Sequence, residues 1–490
     1  MKISEIVKEM EYTCLQGSLD TEIKDIIYDS RKIEQGTMFV CMVGAVTDGH
    51  KYIPDAIEKG AAAIVVERAE EAKNIPDDIT VIQVPLARKA LAYMSAAFFG
   101  YPARELTTIG LTGTKGKTTT TYMVKSVLEA AGKKVGLIGT IGALVGDKML
   151  PTKNTTPESY ELHKLFRQMV NEGCEYVVME VASQGFKLDR VAGITFDYGV
   201  FTNLSPDHIG PNEHASFEEY MFCKSMLFQN CKVGIVNKDD EHVEGILKGH
   251  TCEVKTFSTL TDADLVAENI DFLHDEGKLG MEFSTKGCMK VKAKVYIPGR
   301  FSVYNALVTM LVCHLCGAAD ADILQGLEKV AVKGRVEMVP VSKDFTVIID
   351  YAHNEVSTRS ILTTLLEYHP NRLICIYGGG GNRSKLRRYD MGEVTGELAD
   401  LCVLTCDNPR DEEIKDINTD IKVGLARSNG KYIEIEDRKD AIKYCLAHAQ
   451  KGDMIVLLGK GHENYQEIKG VKYHYDEREA VAQAKAELGM

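Results

Sequence analysis

A chain of 490 residues has room for about three domains, and its 44% hydrophobic content is ordinary for a globular protein with large cores. A formal net charge of −13 without a long basic run argues against nucleic acid or an anionic membrane as the main partner, while a single anionic metabolite needs only a local basic site. Thirteen cysteines lack CxxC or zinc spacing, no apolar run approaches about 18 residues, and the start MKISEIVKEMEYT is acidic and amphipathic; together these predict reduced thiols, no integral membrane contact, no signal peptide and a cytoplasmic location.

Residues 1–104 alternate short strands and helices: DIIY, GTMFVCMVG, then the helical HKYIPDAIEKG running into the apolar AAAIVVE. This predicts a small α/β domain. Two polar turns, Tyr28-Asp29-Ser30-Arg31 and Thr47-Asp48-Gly49-His50, suit either nucleotide binding or turn chemistry alone. Tyr101-Pro102 marks a boundary.

A second α/β segment covers 105–333. An apolar strand, Leu106 to Leu111, enters GTKGKT, and Lys117 to Ala131 has helical apolar spacing at Met123, Val124, Val127 and Leu128. Strand, Gly-rich turn and helix N-terminus make a polyphosphate cradle, with loop N–H groups and the helix start facing the anion. The usual P-loop has a glycine where this chain has Leu111, so the first glycine is Gly113. The phosphate-holding stretch is then Gly113, Thr114, Lys115, Gly116, Lys117, Thr118 and Thr119, with Lys117 reaching the terminal phosphates and the Thr118 hydroxyl on Mg2+.

The strand CEYVVMEVA carries Glu180 at its end, and DYGVFTN ends at Asn203 with His208 shortly after. Parallel sheets gather ligands at the carboxyl ends of strands, so Lys117, Glu180 and His208 are expected to converge. Glu180 is either a cation ligand or half of a salt bridge, and His208 either a ligand or a polar cap. Ser216 and Glu219 predict a capping box. On that helix Lys224, among Met221, Phe222, Met226 and Leu227, either snorkels or is buried with a lowered pKa that permits reaction with carbon dioxide. IPGRFSVYNALVTMLVCHL opens a further helix with Asn305 near its start.

From Gly334-Arg335-Val336 to residue 490, apolar runs end in Gly-, Asp- or Asn-rich turns, predicting a second doubly wound sheet. One edge carries Asp350, His353, Asn354, Arg383, Asp407, Asn408, Arg410 and Glu463. Such turns serve as helix caps, or, with guanidinium groups among carboxylates, as a site for a zwitterion.

GTKGKTTT, NTTPES, MEVASQG, FTNLSPDHIG, the helix bearing Lys224, GRFSVYNAL, GRVE, DYAHN, DNPR and GKGHE occur in that order, and by them the chain resembles the Mur ligase family over nearly its whole length. Among its members it is most similar to those that add the third residue to UDP-N-acetylmuramoyl-L-alanyl-D-glutamate. The resemblance implies an α/β fold of three domains: a small N-terminal UDP-sugar domain (1–104), a central P-loop ATPase domain with a mostly parallel sheet (105–333), and a C-terminal Rossmann-like, amino-acid-binding domain (334–490). It implies that Lys117 and Thr118 hold ATP and Mg2+, that Glu180 and His208 ligate Mg2+, and that Lys224, as a carbamate, places a second Mg2+. Asn305, Arg335 and Asp350 are implied at the nucleotide and Ser30 at the uridine diphosphate. Asn154, Thr155, Thr156, Ser183 and Arg190 would hold the muramoyl dipeptide. Arg383, Asp407, Asn408, Pro409, Arg410, Gly459 and Glu463 would hold the amino acid.

The sequence departs from the family pattern at Ala182, Gln184, Leu188, Asn382, Ser384 and Tyr389. DNPR is the form associated with meso-diaminopimelate, whose distal carboxylate Arg410 can pair. The implied reaction is amide ligation through an acyl phosphate by a monomer that makes peptidoglycan precursor and binds no nucleic acid. The alternatives are L-lysine as the amine, a folylpolyglutamate-synthase-like ligase, and a regulatory P-loop nucleotide switch.

Overall fold

The computed structural model describes residues 1–44, 47–210, 213–275 and 278–490. The chain divides into two compact units, Met1–Val266 with Leu307–Ile323, and Ala267–Ala306 with Leu324–Met490.

The first unit holds two sheets. The N-terminal one has the order Thr13–Gln16, Thr80–Gln83, Ala63–Val66, Met38–Val40, Ile26–Ile27, parallel except for the first pair. Its strands are continuous apolar runs because both faces are covered: Met38, Val40, Ala63 and Val65 enter one core, Phe39, Cys41, Ile64 and Val66 the other. In the polar turn at Thr47–His50 the Asp48 carboxylate is taken up by structural bonds, while Thr47 and Gly49 line the cleft that Ser30 also lines. Asp48 caps the N–H of His50, holds its buried ring at 2.6 Å and pairs with Arg68 at 2.9 Å.

In the second sheet Thr107–Thr112 runs between Tyr176–Glu180 and Phe196–Phe201, all parallel. Val135–Gly139 continues on the Glu180 side, and Cys231–Asn237 and Glu253–Ser258 on the other. Register decides the site: Glu180 lies opposite Leu111 and Phe201 opposite Thr112, so these strands end together where the glycine loop begins. The helix Lys117–Ala130 buries Met123, Val124, Val127 and Leu128, as its spacing predicts. The capping box at Phe217–Ser225 is modified: Ser216 accepts from the Glu219 N–H, but the Glu219 carboxylate reaches back to the N–H of Ala215.

His163 sits on the buried face of Ser159–Asn171, edge-on to Phe166, and neither ring nitrogen has a hydrogen-bond partner among the described residues. Burial lowers its pKa to about 4. Between that value and about 6.5 the unfolded chain binds a proton that the native state refuses, so stability falls as pH drops through this window. At pH 5 the loss is about 2 kcal/mol relative to pH 7.5, and His163→Leu is expected to abolish it. Urea midpoints of both proteins at the two pH values check this; an equal acid loss in the variant would acquit His163.

In the second unit the six-stranded sheet has the order Glu337–Val339, Thr346–Asp350, Met454–Leu458, Leu373–Tyr377, Leu401–Leu404, Tyr432–Glu434, parallel except at the first strand. The helices Glu355–Leu366, Lys385–Leu398, Ile414–Ser428, Arg438–Ala447 and Glu477–Glu487 alternate with or follow these strands. Asp350 lies opposite Leu458 and Tyr377 opposite Leu404, so the polar turns of this doubly wound sheet share its carboxyl edge. A hairpin, Tyr465–Ile468 with Val471–His474, lies against that edge through Arg410 and Ile468.

Candidate active site

The loop after Thr107–Thr112 turns on Gly113 (φ +146°), where a Cβ would overlap the Thr202 hydroxyl, and on Gly116 (φ +85°), which starts the helix. Two loop N–H groups, expected to face the anion, are instead spent on the neighbouring strand's continuation: Thr114 N donates to Asn203 O at 2.8 Å and Lys115 N to Asn203 Oδ1 at 2.9 Å. The anion-facing groups are thus those of the first helical turn, at Thr118 and Thr119, which have no intrahelical acceptor. The Thr114 hydroxyl ties the loop to Ser205 and Tyr220.

Two lysines meet on one carbonyl. Lys117 Nζ donates to Gly113 O at 2.7 Å and Thr114 O at 3.0 Å, and Lys224 Nζ reaches the same Gly113 O at 2.8 Å. Lys224 does not snorkel. It is 1% exposed, with Nζ 4.5 Å from the centre of the Tyr220 ring. Burial pushes its pKa well below the ordinary lysine range, the Lys117 charge pushes further, and Asp207 opposes both.

The Glu180 carboxylate is buried beside this loop. It accepts from the Thr118 hydroxyl at 2.8 Å, from Thr140 N at 2.9 Å and from the Thr140 hydroxyl at 3.2 Å; Thr155 bonds Thr140 in turn. Its hydrogen-bond partners among the described residues are all neutral, and a buried carboxylate so placed suits a cation. His208 is half-exposed in a left-handed turn (φ +53°), its ring on the Glu213 carboxylate at 3.0 Å and about 6.0 Å from Tyr220. Lys117 and Glu180 are therefore brought to one place through Thr118, and His208 is linked to it through the loop that Thr114 holds.

The dipeptide candidates form a belt behind Glu180. Thr156 Oγ1 donates to Glu180 O and accepts from Ala182 N; Arg190 grips Glu158 at 2.8 Å and Thr156 O; Ser183 bonds the buried His214 at 2.8 Å. Ser30 and Asn154 line one cleft of about 1130 Å³, together with Tyr28, Arg88, Tyr160 and Glu161. Tyr28 donates to Glu161 at 2.7 Å and Tyr160 to Asp25 at 2.6 Å.

In the second unit Asn305 lies buried near the start of Phe301–Leu315. Asp350 accepts from Val336 N and Ala352 N, each at 2.8 Å, and burial raises its pKa against the opposing Arg335 charge. Arg335 lies over the Tyr351 ring. Asn408 Nδ2 donates to Glu463 at 2.9 Å, Arg410 donates to Glu467 at 3.1 Å and to Gly381 O at 2.7 Å, and Gly459 N donates to Asp350 O. A Cβ on Gly459 would press on Asp407, and one on Gly381 would overlap the Pro409 carbonyl. Arg383 and Asp407 line a small cavity of about 30 Å³ with His353 and Gly379.

Sequence reasoning missed Thr140, Lys460, Glu467 and Arg388. Thr140 follows a strand in register with Tyr176–Glu180, a position legible only once the strands are paired. Lys460 lay within GKGHE, directly after an apolar strand, and that company was its signal. The buried Arg388 bridges Glu412 and Asp420, both at 2.8 Å, and holds Gly380 O, so it shapes the turn that carries Arg383.

Residues 22–99, 111–313 and 334–461 match, in turn, the models of the Mur ligase family catalytic domain, the Mur ligase middle domain and the Mur ligase glutamate ligase domain. Over 491 residues, all of both chains, the protein is 43% identical to the UDP-N-acetylmuramoyl-L-alanyl-D-glutamate--2,6-diaminopimelate ligase of Clostridium tetani. The chain belongs to the Mur ligase family. A like-named Mur ligase of Geobacillus thermodenitrificans is 37% identical over 99% of both chains. A solved UDP-N-acetylmuramoyl-L-alanyl-D-glutamate--2,6-diaminopimelate ligase superposes with a TM-score of 0.72 at 25% identity, covering 100% of this chain and 99% of its own. A folylpolyglutamate synthase of Mycobacterium tuberculosis shares the fold at a TM-score of 0.59, with 18% identity over 76% of this chain and 92% of its own. This Mur ligase is thus an ATP-dependent ligase with the family's three-domain α/β architecture.

The residues fit the family's nucleotide and metal. Mg2+ takes oxygens at about 2.1 Å in an octahedron, whose edges are therefore about 3 Å long. The 2.8 Å between Thr118 Oγ1 and Glu180 Oε1 matches such an edge. Among the described residues no three His, Cys, Asp or Glu side chains form a metal-holding group.

Proposed function

We propose that this Mur ligase joins meso-diaminopimelate to the D-glutamyl γ-carboxylate of UDP-N-acetylmuramoyl-L-alanyl-D-glutamate, at the expense of ATP, in peptidoglycan precursor synthesis. The observation that carries the reading is identity of 37–43% along the whole chain to relatives bearing that name. The acceptor carboxylate attacks the γ-phosphorus and ADP leaves. The amine then attacks the resulting acyl phosphate, losing a proton as phosphate departs.

The chain's own groups position and neutralise. The stretch Gly113 to Thr119 holds the phosphates chiefly through the N–H groups of Thr118 and Thr119, and Lys117 exchanges two loop carbonyls for phosphate oxygens as the nucleotide arrives. Thr118, Glu180 and His208 would hold one Mg2+ and carbamylated Lys224 would help place a second, and these ions would supply charge neutralisation at the transferring phosphoryl group. Asn305, Arg335 and Asp350 hold the rest of the nucleotide. Ser30 takes the uridine diphosphate, and Asn154, Thr155, Thr156, Ser183 and Arg190 take the dipeptide. Arg383, Asp407, Asn408, Pro409, Arg410, Gly459 and Glu463 form the amino-acid pocket. The domains fall at 1–104, 105–333 and 334–490 of a cytoplasmic monomer.

Arg410 decides between diaminopimelate and L-lysine. Its guanidinium is partly exposed and held by Glu467 and Gly381 O, and a distal carboxylate gives it a second charged partner that lysine cannot supply. Phosphate release is expected only with acceptor and amine both present, and wild type should prefer diaminopimelate by about 10²-fold or more in kcat/KM. Arg410→Ala should erase most of that preference. Equal wild-type use of lysine overturns the amino acid, and ATP hydrolysis indifferent to both substrates overturns ligation in favour of a nucleotide switch.

A further inference from the structure

Lys460 follows Gly459 at the carboxyl end of the apolar strand Met454–Leu458, and its side chain is 0% exposed. Its Nζ donates to Asn408 Oδ1 at 2.8 Å and to the Tyr465 carbonyl at 2.5 Å, and lies 3.3 Å from Glu463 Oε2 and 3.5 Å from Asp407 Oδ1. An ammonium withdrawn from water is costly unless acceptors and opposite charge surround it, as they do here.

The cluster leaves the Asn408 carboxamide one orientation. Its Oδ1 accepts from Lys460 Nζ and from Glu467 N at 2.9 Å, while Nδ2 donates to Glu463 Oε2 at 2.9 Å. An ammonium and a backbone N–H can only donate, and a carboxylate can only accept, so a flipped amide would set NH2 against two donors and oxygen against oxygen.

We propose that Lys460 is a positioning residue of the amino-acid pocket: by holding Asn408 Oδ1 it fixes the carboxamide whose Nδ2 aligns the Glu463 carboxylate for the incoming ammonium. This deepens the ligase reading above and rests on it. Lys460 and Asn408 Nδ2 together occupy Glu463 Oε2, which assigns the ligand's ammonium to Oε1. The hairpin from Tyr465 takes part through the Tyr465 carbonyl, which accepts from Lys460, and the Glu467 N–H, which donates to Asn408.

Lys460→Met keeps the volume and removes the donor. Steady-state ADP release by the full chain is expected to show a KM for diaminopimelate raised about tenfold or more, with the KM values for ATP and the UDP-muramoyl dipeptide within about twofold of wild type. An unchanged diaminopimelate KM, or a parallel rise of all three, overturns the proposal, since a merely structural lysine predicts one of those. Should Lys460→Met fail to fold, Asn408→Asp decides: its carboxylate still satisfies both donors but repels Glu463, so the same selective rise is expected, and its absence overturns the proposal. A wild type that ligates no diamino acid refutes the ligase reading together with this inference. Normal wild-type ligation with unselective variants refutes this inference alone.

Discussion

Glu180→Gln is expected to fold normally and to lose about 10²–10³-fold in kcat, with the Mg2+ concentration for half-maximal rate raised about tenfold or more. Glu180 is a buried carboxylate whose hydrogen bonds come from Thr118 and Thr140, and Thr118 Oγ1 stands at the distance of an octahedral edge. Glutamine fills the same space and keeps one acceptor, which preserves the strand end, but it carries no charge for a cation and sets an NH2 against donors. Space for a larger adjustment is missing, because a Cβ on Gly139 would already overlap the carboxylate. Thermal melting separates folding from chemistry, and Mg2+ titration of ADP release reads the metal. Wild-type Mg2+ dependence in the variant would remove Glu180 from the metal site.

The second large effect is at Lys224. Burial and the neighbouring Lys117 push its pKa well below the ordinary lysine range, which favours the neutral amine, the form that attacks carbon dioxide. The nitrogen forms a C–N bond, releases one proton and becomes an anionic carbamate. That places a counter-charge to Lys117 beside the phosphate loop, where both side chains already share the Gly113 carbonyl. Lys224→Met should lower kcat by about 10³-fold while leaving the melting temperature near wild type, since an apolar chain suits the buried site. Wild type equilibrated with 13C-labelled carbon dioxide should show one carbamate resonance that the variant lacks. A wild type with full activity and no such resonance would leave Lys224 as a plain buried amine.

Much of this was legible in the residues. GTKGKT between an apolar strand and a helix announces a phosphate loop because glycine tolerance, an ammonium and a hydroxyl are local requirements, met within a few positions. Glu180 at the end of YVVME stood out because a carboxylate closing an apolar strand needs a reason. Turn residues were weaker signals: Asp29 and Asp48 looked fit for a nucleotide, and both carboxylates turn out to cap their own turns, Asp29 on Arg31 and Asp48 on His50 and Arg68. Asn203 read as a strand terminus and turned out to absorb two of the loop N–H groups.

By itself the sequence determined the α/β alternation, the order of the motifs, the family and the residue types at each turn, since periodicity and turn chemistry act over neighbouring positions. Only the tertiary structure decided which of those groups share a bond: Thr140 and Thr118 on Glu180, two lysines on Gly113, Lys460 on Asn408, Glu467 on Arg410. Most of these partners lie tens to hundreds of residues apart. Their meeting follows from strand order and register, and a shift of one residue in Tyr176–Glu180 would turn Glu180 to the opposite face of its sheet.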